Sequence, residues 1–70
     1  MEKQDIREYS SQELSMIVMN DEGLYREFRR AVRRDRFGEF LELLDEYFIY
    51  DDDQEEALRE DFNAELEEDQ

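Results

Sequence analysis

The residues of this chain with chemical potential are carboxylates, above all the run Asp51-Asp52-Asp53-Gln54-Glu55-Glu56. Carboxylates act as general acids and bases, hold hard cations, or attract basic partners. Catalysis lacks its usual companions here. The 70 residues contain no His and no Cys, which removes the commonest general base, thiol chemistry, disulfides and Cys-based zinc sites. Ser10 and Ser11 stand in a capping context and Ser15 lies early in a helical segment, so no nucleophile sits beside a base. With 23 acids in the chain, any one pair is uninformative as an acid–base couple. Asp51, Asp53 and Glu55 match the first positions of a calcium loop, but the Gly its turn requires is missing and a helix should begin there. No Gly-rich phosphate loop exists. We expect no enzyme, no cofactor and no metal.

Attraction remains. Twenty-three acids against nine bases give a net charge of -14 and a pI near 4.1. Such a chain is repelled by nucleic acid and anionic lipid and suits a basic protein. It shows no long apolar run and no signal-peptide pattern, so a cytoplasmic location is expected.

The elements that must carry these charges follow from spacing. High charge is a signature of disorder. Against it stand 13% aromatic residues, no Pro, only two Gly and helical apolar spacing. We read one helical domain over residues 1–70, with 1–8 and 68–70 frayed. Ser10 and Glu13 form a capping-box pattern, and Tyr9 with Leu14 a hydrophobic staple, which start a first helix at about Ser11 and carry it to Met19. Its apolar face is Leu14, Ile17 and Val18. Asn20 or Asp21 caps a second helix whose core stripe is Leu24, Tyr25, Phe28, Ala31 and Val32. Continuing that stripe would bury Asp35, Arg36 and Glu39, so the chain must break between Asp35 and Gly38. A third helix, about Arg36 to Tyr50, carries Phe37, Phe40, Leu41, Leu44, Tyr47 and Phe48. Leu43, Ile49 and Tyr50 overflow its stripe, which marks it as the central helix or as a self-association face. A fourth helix, with Asp53 and Glu56 as a capping-like pair, carries Ala57, Leu58, Phe62 and Leu66. The expected fold is an all-α compact bundle of three or four short helices.

Charge is unevenly distributed along these elements. Residues 1–20 hold four acids against Lys3 and Arg7. Residues 21–36 hold six Arg against four acids. Residues 37–70 hold fifteen acids against Arg59 alone, which equals the whole net charge of -14. The basic stripe Arg26, Arg29, Arg30, Arg33, Arg34 and Arg36 contains like-charge pairs at i, i+4 that need offsetting. It pairs with acids of the third and fourth helices, or meets an acidic partner or nucleic acid, or meets the acidic half of a second copy. The acidic half offers Glu39, Glu42, Asp45, Glu46, Asp51, Asp52, Asp53, Glu55, Glu56, Glu60, Asp61 and Glu65 as a partner-binding face. If the third and fourth helices lie side by side, fifteen carboxylates over roughly 22 Å approach the charge density of duplex DNA, about 0.6 per Å. A solvated helix exterior, or a halophilic surface, is the plainer reading.

The stretch Glu13–Arg26, ELSMIVMNDEGLYR, resembles a motif of small, all-helical, uncharacterised bacteriophage proteins, roughly EL…I…ND…LYR. Leu58–Glu68, LREDFNAELEE, is similar in style to the acidic helix with which those proteins close. The resemblance implies a phage-encoded protein and transfers no catalytic residue. By class alone, small acidic phage proteins resemble anti-restriction and anti-CRISPR inhibitors, which block nucleic-acid-binding host machinery by presenting carboxylates. The expected function is inhibition of a basic nucleic-acid-binding host protein by nucleic-acid mimicry. The alternatives are an oligomeric assembly protein, or an acidic antitoxin or adaptor for one enzyme.

Overall fold

The computed structural model describes residues 2–68. Four helices account for most of them: α1 Glu13–Asn20, α2 Glu22–Arg34, α3 Phe37–Asp45 and α4 Asp52–Glu68. Two short strands, β1 Gln4–Asp5 and β2 Phe48–Ile49, pair in parallel with Gln4 opposite Phe48 and Asp5 opposite Ile49. The all-helical bundle is therefore present, with a small strand pair added at one edge.

That pair corrects two expectations. The segment 1–8 is not frayed where it is described: Ile6 is fully buried, and its N–H donates to the Ile49 carbonyl at 2.9 Å. The third helix does not reach Tyr50. It ends at Asp45, a turn follows, and Phe48 and Ile49 extend to meet β1. Aromatic and β-branched side chains favour that extended backbone. At the other end Glu68 is helical, so it is not frayed either, and the expectation for Asp69 and Gln70 lies outside the described residues.

Helix starts follow capping chemistry, though not always at the expected residue. Asp21 caps α2 by accepting the Leu24 N–H at 3.0 Å. Ser10 does not cap α1: its carbonyl accepts the Glu13 N–H, and the N-cap is Gln12 with no side-chain bond. Tyr9 is 57% exposed, so the staple with Leu14 is absent. The break between α2 and α3 falls at Asp35, which takes the left-handed conformation with φ 53° and ends α2. At α4 the box sits two residues earlier than expected. Asp51 Oδ1 accepts the Gln54 N–H at 2.8 Å, and Gln54 Oε1 accepts the Asp51 N–H at 3.1 Å.

The core also has a different centre. Not α3 but α2 is the hub, packing against α1, α3 and α4. Its Phe28 is fully buried, with Phe40 of α3 and Phe62 of α4 meeting the ring edge-on at 5.6 and 6.0 Å. Leu14 and Val18 of α1, Leu44 of α3 and Leu58 of α4 complete the buried cluster with Ile6. Helix α3 stays peripheral because five residues, Glu46 to Tyr50, leave the helix to build the strand pair.

Candidate functional site

The fold divides the twelve candidate acids into three groups. Along α4, at 3.6 residues per turn, four of them, Asp52, Asp53, Glu56 and Glu60, fall on one side with Glu67, which was not among the candidates, opposite the buried Gln54, Leu58 and Phe62. All five are exposed. Asp53, Glu56 and Glu60 line one shallow depression of about 260 Å³ with Ser11 and Gln12. No cation among the described residues lines it.

The second group is turned to internal work. Asp61 accepts a hydrogen bond from the hydroxyl of Ser15, which is nearly buried on α1. Glu65 pairs with Arg29 at 2.6 Å, with both side chains about 30% exposed. Glu55 pairs with Arg59 at 3.4 Å, and the Arg59 guanidinium lies 4.9 Å over the Phe37 ring. Asp51 is the cap of α4. Asp45 lies beside the Tyr50 hydroxyl, which can donate to it. Burial, then that donation, then the charges of Asp45 and Glu55 push the Tyr50 phenol above its usual range. Neutral Tyr50 is thus the form the fold keeps.

The third group lies apart. Glu39, Glu42 and Glu46 are exposed on α3 or just after it. Glu39 lines a pocket of about 210 Å³ with Arg30, Arg34 and Arg36, over Ala31 and Phe40. Helices α3 and α4 meet where Phe37 touches Phe62 at 4.9 Å. Phe37 opens α3, whereas Phe62 lies well inside α4. A single continuous acidic face built from all twelve residues is therefore not formed.

The Arg stripe is also split. Arg29 reaches α4, as one expectation held. Arg26 pairs within α2 with Glu22 at 3.8 Å, and Arg30 with Glu27 at 3.5 Å. Arg33, Arg34 and Arg36 are exposed without an ion pair among the described residues. The overflow residues do not share a helix face. Leu43 on α3 and Tyr50 after β2 pack against the core, and Ile49 alone is more than a third exposed.

Two features had no place in the sequence reading. Gln54 is fully buried, and its Nε2 donates to the Ile6 carbonyl at 2.7 Å and the Ser10 carbonyl at 3.1 Å. It ties the N-terminal segment to α4. The spacing Asp51-x-x-Gln54 and the position of Gln54 one turn before Ala57 and Leu58 are the signals for it. The other is an open groove of about 540 Å³ between the start of α2, the end of α3 and the strand pair. Because distant segments assemble it, no local pattern marks it.

Among the described residues, no group of three or more acids converges on a point that could hold a metal ion. No helix there is long and apolar enough to cross a membrane. No protein-family model, no curated protein and no solved structure matches the chain.

Proposed function

We propose that this chain is a small phage-encoded binding protein that inhibits a basic nucleic-acid-binding host protein, with the outer stripe of α4 standing in for a nucleic-acid strand. The observation that carries the reading is the alignment of Asp52, Asp53, Glu56, Glu60 and Glu67 along one exposed side of a 17-residue helix. From Asp52 to Glu60 the stripe sets four carboxylates in about 12 Å, roughly one per 4 Å, and Glu67 follows about 10 Å further on. One DNA strand carries a phosphate per about 3.4 Å of axis. The Asp52–Glu60 part approaches the spacing of a single strand's phosphate row, not the full duplex density that side-by-side helices would give. The stripe is rigid because the opposite side of α4 is anchored by Leu58, Phe62 and the Arg29–Glu65 pair. A rigid array loses little freedom when a basic groove closes on it.

The test is competition. Immobilised chain should capture a nucleic-acid-binding protein from host lysate, and duplex DNA should release it. Capture should weaken steeply as salt rises. A variant with Asp52→Asn, Asp53→Asn, Glu56→Gln and Glu60→Gln should capture none, while Asp51, Glu55, Asp61 and Glu65 keep their structural bonds. Capture unaffected by DNA and by the quadruple substitution would sink the reading.

A further inference from the structure

The groove beside the strand pair has a chemistry the α4 stripe lacks. Its apolar surface comes from Leu24, Leu43, Tyr47 and Phe48. Acids line it too: Glu2, Asp21 and Glu27. No cation among the described residues lines it, although Arg30 is one turn from Glu27 and pairs with it at 3.5 Å in the open. The positive end of α2 lies here, but Asp21 caps it with a carboxylate. The volume, about 540 Å³, is in the range that takes one or two large side chains. An apolar floor ringed by carboxylates is complementary to an apolar side chain flanked by Lys or Arg.

We infer that this groove is a second recognition site, which takes an apolar anchor flanked by basic residues on the partner protein. The inference rests on the reading of the chain as a binder of a basic protein and adds specificity to it. The α4 stripe attracts any cationic surface. The groove selects the one that carries an aromatic or aliphatic residue at the right place. Gly23 opens the groove wall. A Cβ built there meets only Asp21 Oδ1, at 3.4 Å, so a larger residue fits the backbone at the lining of the groove.

The experiment titrates isotope-labelled chain with three acetylated tetrapeptides and follows backbone amide shifts. The probes are Lys-Phe-Leu-Lys, tetralysine and Glu-Phe-Leu-Glu. The first should move Gly23, Leu24, Leu43, Tyr47 and Phe48. Gly23→Trp, which fills the groove, should weaken its binding about ten-fold or more, which is about 1.4 kcal/mol. Tyr47→Ser, at a side chain that is 40% exposed, is the second variant and should weaken it in the same direction. The quadruple α4 variant should change it less than about two-fold, because the two sites are distinct. Shifts confined to Asp53, Glu56 and Glu60 overturn the inference, as do equal binding of the acidic peptide, no binding at millimolar concentration, or a dimer that Gly23→Trp disperses. Tetralysine separates this outcome from the proposed function: if it leaves the α4 stripe unmoved, the mimicry reading fails whatever the groove does.

Discussion

Helices α2 and α4 are the long elements of the molecule, 13 and 17 residues, and they use charge differently. Helix α2 carries five Arg and lies at the centre of the packing. Its buried side is Phe28, Ala31 and Val32, and three of its five Arg have acidic partners in the fold or on the next turn. Helix α4 carries nine acids, with Arg59 as its one base. Four of those acids, including Asp61 and Glu65, lie outside the outward row, and five form an exposed row, with Arg59 at its edge turned to Glu55 and Phe37. The comparison teaches that the charge asymmetry of the sequence is not two opposed faces. The basic helix serves the fold, and the acidic helix retains a surplus the fold does not consume.

The comparison breaks most readily at Phe28. If α2 is the hub, Phe28→Ala should cost about 3–5 kcal/mol in denaturant unfolding, because it empties the space between Phe40 and Phe62. A loss below about 1 kcal/mol would mean the hub lies elsewhere. The next effect belongs to α4's inner side. Gln54→Ala removes half of the α4 capping box and the side-chain donor shared by the Ile6 and Ser10 carbonyls, leaving the Ile6 carbonyl only the Tyr9 N–H at 3.1 Å. The expected cost is about 1–3 kcal/mol. Hydrogen exchange at the Ile6 amide should speed up with it, since the strand pair loses its tie to α4. Unchanged exchange would show that β1 stands without Gln54.

Smaller effects separate working charge from surplus charge. A double-mutant cycle on Arg29→Gln and Glu65→Gln should give a coupling of about 0.5–1 kcal/mol, reduced by salt, because both groups are partly screened by solvent. Zero coupling would mean that the contact with Glu65 contributes nothing to the fold. Glu60→Gln should act in the opposite direction and stabilise the fold by about 0.2–0.5 kcal/mol, since it relieves repulsion from Glu56 one turn away. Destabilisation there would mean that the row holds the fold together after all.

Much of this was legible in the sequence, and the gaps have physical causes. The core stripe of α2, its Asp21 cap and the break at Asp35 follow from local periodicity and turn chemistry. The strand pair does not, because two two-residue strands some forty residues apart leave no alternating pattern. Missing it also misplaced the end of α3 and made that helix look central. The acids were visible, but their orientation was not. Only packing shows that Asp61 turns to Ser15 and Glu65 to Arg29, while Glu56 and Glu60 face out.

The central claim is that the outward row of α4 is where a basic partner engages. Amide-shift mapping of the labelled chain with decalysine, repeated at increasing salt, tests it most directly. The account predicts shifts concentrated at Asp52, Asp53, Glu56, Glu60 and Glu67 that fade steeply as salt is added. Shifts spread evenly over acids throughout the chain, Glu8, Glu13, Glu42 and Glu46 included, would contradict it and leave the charge as a solvated coat.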